Sequence, residues 1–289
     1  MSNRIVITGA GGLVGRTLAA KAGQQGYDVL ALTSADCDIT DATAVARVVA
    51  ADDVVINCAA YTKVDDAEAD EDRAYAVNAT GAAHLAQSCA KAGAALIHIS
   101  TDYVFSGHFA DGHPRPYELD DETGPRSAYG RTKLAGELAV LAAMPQAHVV
   151  RTSWIYGGTA DFVSAIAAKA AGTDAIDVVA DQVGGPTLAA DLVDALLELA
   201  TGTISAPILH AVNAGETSRY EQARAVFELV GADPDRVRPV DTDKYPRPAP
   251  RPAYSVLSTR RSTEAGLTPL RPWREALAAA LSSGGSGGS

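Results

Sequence analysis

The sequence predicts an α/β fold, in which a doubly wound parallel sheet is covered by helices on both faces. Three observations predict it. Short apolar strands alternate with helical segments through the first half of the chain, those strands carry few charges, and a glycine-rich turn follows the first strand directly. Alternation is typical of parallel sheets, and strands buried on both faces need apolar residues throughout. In such folds, ligands bind outside the carboxyl ends of the strands.

Each element has its own signal in the sequence. Runs rich in β-branched or apolar residues predict strands, and these runs cover residues 4–8, 29–32, 54–57, 95–100 and 148–152. Apolar residues at helical spacing predict the helices between them, which cover residues 13–25, 42–50, 67–92 and 128–143.

The composition excludes several classes of protein. The 289 residues include 24 basic and 35 acidic side chains, a net charge of -11, and no run of lysine or arginine, so a nucleic-acid partner is not expected. No apolar run is long enough for a membrane helix and no signal peptide is visible, which predicts a cytoplasmic protein without a membrane partner. The three cysteines form no Cys-x-x-Cys pair and suggest neither a disulfide framework nor a zinc site.

The turn after the first strand predicts a phosphate-binding site. Gly9, Gly12 and Gly15 are spaced three apart and open the first predicted helix. Glycine permits a tight turn and a close approach of the backbone to a pyrophosphate, and the helix N-terminus offers unpaired N–H groups. The alternative is a glycine-rich turn that binds nothing. Its place at the start of a βαβ pattern favours a dinucleotide.

The second strand bears on which dinucleotide binds. NAD sites often place an acidic residue just after this strand, where it holds the ribose 2′-hydroxyl. Thr33 and Ser34 stand there, Asp36 and Asp38 come slightly late, and Arg16 is available for a 2′-phosphate. The sequence therefore favours NADPH, with NADH as the alternative.

The domain organisation follows from where the alternation ends. Residues 1–153 are predicted to form the dinucleotide-binding domain. Residues 154–281 hold most of the prolines, including an extended loop at 245–252, and are predicted to form mainly a smaller substrate-binding lobe, with segments that return to the sheet. Residues 282–289 contain only serine and glycine and look like a linker.

Tyr129 and Lys133 form the candidate catalytic pair. Residues four apart share one face of a helix, and an ammonium stabilises a phenolate, so the lysine is expected to lower the pKa of the tyrosine. The alternative is an ordinary helix start, since a Tyr-x-x-x-Lys spacing also arises by chance. The pair follows a strand that ends in Ser100, Thr101 and Asp102, whose hydroxyls are expected at the carboxyl edge of the sheet beside the cofactor.

These motifs together resemble the extended short-chain dehydrogenase/reductase superfamily. More narrowly, several segments resemble its dTDP-4-dehydrorhamnose reductase family, and the Ser-Thr-Asp-Tyr-Val-Phe string is the most specific of them. The similar segments are residues 57–65, 100–107, 129–137, 151–156 and 181–187, and Arg251-Pro252 followed by Ser255 and Leu257.

The resemblance implies a Rossmann-type nucleotide-binding domain and NAD(P)H-dependent reduction of the 4-keto group of dTDP-4-dehydro-L-rhamnose. It implies that Thr101, Tyr129 and Lys133 are catalytic. It places the substrate on Thr101, Asp102, Tyr129, Trp154 and Arg251. It places the cofactor on Gly9, Gly12, Leu13, Val14, Gly15, Asp38, Ile39, Ala59, Ala60, Tyr61, Tyr129 and Lys133.

Several alternatives remain open at the level of sequence. Trp154 is also consistent with a lobe interface, Asp102 with a loop anchor, and Arg251 with a solvated loop. Some members of the family bind magnesium through a glutamate just after the glycine turn; Thr17 stands there, so no metal ligand is assigned and both a monomer and a homodimer are open.

The function also has two competing interpretations. One keeps the chemistry and changes the sugar, a 4-ketoreductase of another dTDP-deoxysugar; Lys63, where many relatives carry a small residue, leaves this open. The other is a non-catalytic regulator similar to the β subunit of methionine adenosyltransferase. Intact Thr101, Tyr129 and Lys133 argue against a regulator.

Overall fold

A six-stranded parallel sheet forms the centre of the molecule. The computed structural model describes residues 4–109 and 112–284. The strands of the sheet are β1 (Ile5–Thr8), β2 (Val29–Leu32), β3 (Val54–Asn57), β4 (Ala95–Thr101), β5 (His148–Thr152) and β10 (Ile208–His210), in the spatial order β2-β1-β3-β4-β5-β10. The expected doubly wound parallel α/β fold is confirmed.

Helices and three small strand pairs surround this sheet. The helices are α1 (Leu13–Gln24), α2 (Ala42–Val48), α3 (Glu71–Tyr75), α4 (Ala82–Ala92), α5 (Ala128–Ala143), α6 (Phe162–Ala170), α7 (Ala189–Leu199), α8 (Arg219–Leu229), α9 (Arg260–Glu264) and α10 (Trp273–Gly284). The pairs are β6 (Ile155–Tyr156) with β9 (Thr187–Leu188), β7 (Ile176–Val179) with β12 (Val237–Val240), and β8 (Val183–Gly184) with β11 (Thr217–Ser218).

Two apolar cores cover the two faces of the sheet. Successive strand residues point to opposite faces, so Ile5 and Ile7 pack on the side of α1 and α7, whereas Val6 packs on the side of α2, α4 and α5. A third core lies in the second half of the chain, around Tyr156 and Phe227. Within the described ranges, no helix is both long and apolar enough to span a bilayer.

The five predicted strands agree with the structure to within one residue at each end. The predicted helix over 67–92 does not form as one piece. A 3₁₀ turn (Asp66–Glu68) precedes α3, Asp70 caps α3 by accepting a hydrogen bond from Arg73 N (3.3 Å), and a π-helical turn (Ala76–Gly81) joins α3 to α4.

The second half of the chain contributes to the sheet as well as to its own core. β10 pairs with β5 at the sheet edge, and residues 245–252 contain no helix or strand, as expected. Helix α10 continues to residue 284, into the segment that resembles a linker, and residues 285–289 of that segment lie outside the described residues. The division at residues 153 and 154 stays a prediction.

Candidate active site

The glycine turn packs so closely against its neighbours that two of its glycines have no room for a side chain. Gly9 has a φ of +70°, and a Cβ there would lie 2.5 Å from the backbone nitrogen of Ala59, which follows β3. A Cβ on Gly15 would lie 2.4 Å from Gly9 O. The turn therefore lies directly against the loop after β3, at the carboxyl edge of the sheet.

The start of α1 has the chemistry of an anion site. Gly12 is the N-cap of α1 and provides no side-chain hydrogen bond to the first turn. Gly11 and Gly12 are exposed, and Leu13 and Val14 are only half-buried. Unpaired N–H groups at a helix N-terminus bind phosphate, so these residues fit the pyrophosphate of a dinucleotide.

The loop after β2 holds the residues that bear on NADPH against NADH. The carboxylate of Asp36 accepts hydrogen bonds from Thr33 N (2.9 Å) and Thr33 Oγ1 (2.6 Å), and these bonds lower its pKa. The guanidinium of Arg16 bonds to Gly11 O, and a Cβ on Gly11 would lie 3.9 Å from Thr33. An arginine thus stands at the edge of the loop, where a 2′-phosphate needs one.

Asp38 and Ile39 lie further along the same loop. The Asp38 carboxylate caps Thr40 through its N (2.9 Å) and Oγ1 (2.8 Å), and these bonds lower its pKa. Ile39 is buried, and a Cβ on Gly81 would lie 2.6 Å from its side chain. The two residues are therefore fixed in position, one facing solvent and one facing the core.

Asn78 in the π-helical turn fixes the loop after β3. Its Oδ1 accepts from Tyr61 N (2.8 Å), and its Nδ2 donates to Tyr61 O (3.2 Å) and to Thr132 Oγ1 (3.0 Å). Ala59 and Ala60 are half-buried in the same loop. The sequence gives no signal for Asn78, because a π-turn inside a helical pattern is not visible in apolar spacing.

The start of α5 is held in place by neighbours from other elements. Ser127 caps it by accepting from Gly130 N (3.1 Å), and Glu68 accepts from Ala128 N (2.8 Å). A Cβ on Gly130 would lie 2.3 Å from Tyr103 O, so α5 packs tightly on the turn after β4. As a result the Tyr129 and Tyr103 rings meet edge to face, with centroids 5.6 Å apart.

Tyr129 and Thr101 come together as predicted, but the pKa of Tyr129 moves against expectation. Burial raises the pKa of the Tyr129 hydroxyl well above its usual range, and a hydrogen bond with Thr101 is the main influence that lowers it. Lys133 is not among the groups that shift it. The expectation that the lysine lowers this pKa is therefore not met here, because its ammonium is directed elsewhere.

Lys133 is buried among polar groups of the sheet. Its Nζ donates to Ile99 O (2.7 Å) and lies 3.4 Å from His98 Nε2. Burial lowers the pKa of Lys133 to about 8, opposed by the negative charge of Glu137. Cys58 lies beside it in the loop that contacts the glycine turn. Lys133 therefore lies between the catalytic tyrosine's helix and the dinucleotide cradle.

Asp102 has an unpaired oxygen in the site. The residue is 2% exposed, and its Oδ2 has no hydrogen-bond partner among the described residues. Thr101 Oγ1 donates to Oδ1 (3.1 Å), and Ser255 also bonds to the carboxylate. Burial raises the pKa of Asp102 to about 6. A buried acceptor without a donor fits a hydroxyl of a ligand.

Trp154 is held in a strained position between two groups. Its φ is +45°, a conformation that L-residues rarely adopt. A Cβ on Gly184 would lie 2.5 Å from its ring, and the guanidinium of Arg219 lies 3.5 Å from the ring centroid. Burial lowers the pKa of Arg219 to about 10, and Asp102 and Tyr103 act on it electrostatically. The sequence analysis missed Arg219, since it belongs to no recognised motif.

Arg251 forms an ion pair with the loop after β3. Its Nη1 and Nη2 lie 2.7 and 2.9 Å from the two oxygens of Asp65, which also accepts from Ala249 N (3.2 Å). These contacts lower the pKa of Asp65. The charge of Arg251 also acts on Tyr103, which places the arginine near the Tyr129 end of the site.

No cluster of three or more His, Cys, Asp or Glu side chains arranged to hold a metal ion occurs among residues 4–109 and 112–284. The three cysteines are free, and Cys37 and Cys89 are buried.

The parts of this site define a class of protein. A glycine cradle at a helix N-terminus, a Tyr-x-x-x-Lys pair on the adjacent helix and a threonine at the end of β4 meet at one edge of a parallel sheet, the arrangement of a short-chain dehydrogenase/reductase.

Comparison with known proteins identifies the family within this class. The family model described as RmlD substrate binding domain matches residues 3–285, so the chain belongs to this family. The chain is 63% identical to the dTDP-4-dehydrorhamnose reductase of Mycolicibacterium smegmatis, over 96% of the chain and 84% of that protein. It is 60% identical to the dTDP-4-dehydrorhamnose reductase of Mycobacterium tuberculosis H37Rv, over 97% and 93%. The resemblance noted in the sequence is confirmed.

A solved structure agrees with these relatives. The dTDP-4-dehydrorhamnose reductase of Bacillus anthracis, in complex with NADP, is 34% identical and superposes with a TM-score of 0.91, over 98% of the chain and 100% of that structure.

Proposed function

We propose that this protein reduces the 4-keto group of dTDP-4-dehydro-L-rhamnose to give dTDP-L-rhamnose, with NADPH as the reductant. The observation that carries the proposal is the meeting of Tyr129, Thr101 and Lys133 at the sheet edge that also holds the glycine cradle. Relatives at 60% identity or more, matched over most of their length, carry this activity in their names. That the protein works in the cytoplasm, as a monomer or a homodimer, stays a prediction.

The cofactor site fits NADPH. Gly9, Gly12 and Gly15 with Leu13 and Val14 would hold the pyrophosphate, and Arg16 would favour a 2′-phosphate. The remaining contacts come from Asp38, Ile39, Ala59, Ala60, Tyr61, Tyr129 and Lys133. When bound, NADPH supplies the hydride for the carbonyl carbon.

Tyr129 is the proton donor to the ketone oxygen. Because burial raises its pKa, the hydroxyl keeps its proton at neutral pH, as a donor must. The Thr101 side chain stabilises the phenolate left behind through its hydrogen bond, and the Lys133 ammonium does so through its charge. The two groups therefore lower the barrier by acting on the charge that develops.

The sugar nucleotide would lie against side chains from several elements. The unpaired Oδ2 of Asp102 accepts a sugar hydroxyl, Trp154 covers the ring, and Arg251, held by Asp65, faces the diphosphate. We further propose that residues 154–281 supply the lobe that selects the sugar.

One experiment tests both the reaction and the proton donor. Wild type and Tyr129→Phe are assayed with a panel of dTDP-4-keto sugars, with NADPH oxidation followed by absorbance and products identified. We expect dTDP-L-rhamnose from the wild type, and a loss of turnover of about 10²-fold or more in the variant with NADPH affinity unchanged. Undiminished turnover in the variant contradicts the role of Tyr129. Reduction of a different sugar only, or tight partner binding without reduction, contradicts the proposed substrate.

A further inference from the structure

A chain of four buried polar side chains crosses the sheet behind the active site. Thr8, Asn57, His98 and Lys133 come from β1, β3, β4 and α5, and each is at most 2% exposed. Consecutive members are 2.7, 2.9 and 3.4 Å apart. Because the chain is shielded from solvent, the donors and acceptors must satisfy one another.

The orientation of the Asn57 amide is fixed by a backbone group. Its Oδ1 accepts from Ala59 N (3.0 Å) and from Thr8 Oγ1 (2.7 Å). A backbone N–H can only donate, so the oxygen and not the nitrogen must face Ala59. Asn57 Nδ2 therefore lies 2.9 Å from His98 Nδ1 and donates to it.

This assignment fixes the tautomer of His98. A ring nitrogen that accepts a hydrogen bond carries no hydrogen, so the neutral imidazole has its hydrogen on Nε2. Nε2 lies 3.4 Å from Lys133 Nζ. An ammonium has only donors and cannot accept from this N–H, whereas a neutral amine can. The imidazole thus favours the uncharged form of the lysine.

We propose that Asn57 locks His98 in the Nε2–H tautomer, and that this N–H weakens the hold of Lys133 on its proton. Lys133 then gains and loses a proton within the working pH range, instead of remaining a permanent cation. His98 and Asn57 are positioning residues that act through Lys133. The inference rests on the proposed function, because it concerns the lysine of the proposed reductase site.

The other groups that face Lys133 fit this proposal. Ile99 O accepts one of its hydrogens, and Cys58 lies nearby. Glu137 favours the ammonium, but its carboxylate is already bound by Arg151, with N–O distances from 2.8 to 3.2 Å. Burial and the charge of Lys133 lower the pKa of His98 well below its usual range, so the ring is neutral.

The tautomer is measurable directly in the unmodified protein. Nitrogen-15 NMR of the imidazole rings, with His98 assigned by a His98→Leu variant, reports which ring nitrogen carries the hydrogen. We expect hydrogen on Nε2 and none on Nδ1 at neutral pH. A hydrogen on Nδ1, or on both nitrogens, overturns the proposal. The measurement needs neither cofactor nor sugar, so it is independent of the proposed reaction.

The effect on Lys133 is tested by reversing the lock. In Asn57→Asp, an acceptor replaces Nδ2, so the hydrogen moves to Nδ1 and the lone pair of Nε2 faces the lysine. We expect the titration midpoint of Lys133, followed by carbon-13 NMR of its ε-carbon, to rise by about one pH unit or more. Lys133 is the one buried lysine of the six in the chain, which distinguishes its signal.

Two controls separate the lock from its alternatives. Thr8→Val also disturbs the buried chain but leaves Ala59 N–H to orient Asn57, so the midpoint of Lys133 should not move. In the His98→Leu background, Asn57→Asp adds only its charge and should shift the midpoint less. An equal shift with and without His98, or no shift in Asn57→Asp, overturns the proposal. Failure to reduce any dTDP-4-keto sugar would count against the proposed function and leave these NMR results standing.

Discussion

Asp102 shows how a single residue of the site can oppose the stability of the fold. Its carboxylate is buried with one oxygen unpaired, and burial raises its pKa from 3.8 to about 6. The folded protein therefore holds this proton more tightly than the unfolded chain does. Between those two values the free energy of unfolding falls as pH rises, and above pH 6 the loss is complete. A site that accepts a sugar hydroxyl thus lowers stability at neutral pH.

Replacing Asp102 with asparagine should remove this pH dependence. We expect the free energy of unfolding of Asp102→Asn, relative to wild type, to increase between pH 4 and pH 8 by about 3 kcal/mol, because a shift of about two pKa units is worth about 1.4 kcal/mol each. Urea denaturation at the two pH values measures it.

A carboxylate with the opposite shift provides the control for Asp102. Bonds from Thr33 lower the pKa of the exposed Asp36. Asp36→Asn should therefore lose stability relative to wild type as pH rises, the reverse of Asp102→Asn. A difference between Asp102→Asn and wild type that is constant across this pH range contradicts the assigned pKa.

The packing of α5 on the π-helical turn shows how whole elements position Lys133. A Cβ on Gly136, one helical turn beyond Lys133, would lie 2.1 Å from Asn78 O and 3.6 Å from His98 Nε2. The glycine therefore lets two backbones approach to a distance that any side chain would prevent. The π-turn supplies the Asn78 carbonyl at that point, and π-turns occur often at functional sites.

Gly136→Ala should consequently damage both stability and the site. The methyl group meets backbone rather than a flexible side chain, so we expect a loss of about 2–3 kcal/mol in the free energy of unfolding and weaker NADPH binding. Gly23→Ala, in α1 with nothing within 4 Å of the new Cβ, is the matched control and should be neutral or stabilising by up to about 1 kcal/mol. Thermal denaturation and NADPH titration decide, and equal behaviour of the two variants contradicts this account.

The elements that were predictable from the sequence are those with local signals. Strands β1 to β5 and helix α5 follow from apolar runs and from Ser127 as a cap, and the glycine turn follows from its spacing. The π-turn and the break at Asp70 interrupt a continuous helical pattern, and apolar spacing does not report them. Strand β10 has three residues and is defined by its pairing with β5, which is a long-range contact.

The same distinction applies to the candidate site. Tyr129, Lys133 and Thr101 are marked by spacing and by the end of a strand, and the structure brings Tyr129 and Thr101 into contact. His98 and Arg219 act through neighbours that are distant in sequence, such as Asn57 at 41 residues from His98. The pKa of Tyr129 was not predictable from helical spacing, because burial and the direction of the Lys133 ammonium depend on tertiary packing.

At the scale of the whole molecule, one ion pair joins the proline-rich loop to the sheet. Asp65 follows β3, Arg251 lies 186 residues later, and their side chains are 26% and 20% exposed. Arg247 also approaches the same carboxylate (3.9 Å). A partly exposed pair contributes about 1 kcal/mol at most to stability, so its main effect is to place the arginine.

A double-mutant cycle tests whether Asp65 acts through Arg251. We expect Arg251→Met to raise KM for the sugar nucleotide by roughly 10- to 100-fold, the value of one or two hydrogen bonds to a charged group. Asp65→Asn leaves the arginine present but less well placed, and should raise KM about fivefold. The double variant should be no worse than Arg251→Met alone, and NADPH affinity and kcat should stay unchanged, because neither residue touches the reacting atoms. Arg260→Ala, which removes an exposed i,i+4 pair with Glu264, is the control and should leave KM unchanged. If Asp65→Asn raises KM equally in both backgrounds, the two residues act independently and the loop is positioned by other contacts.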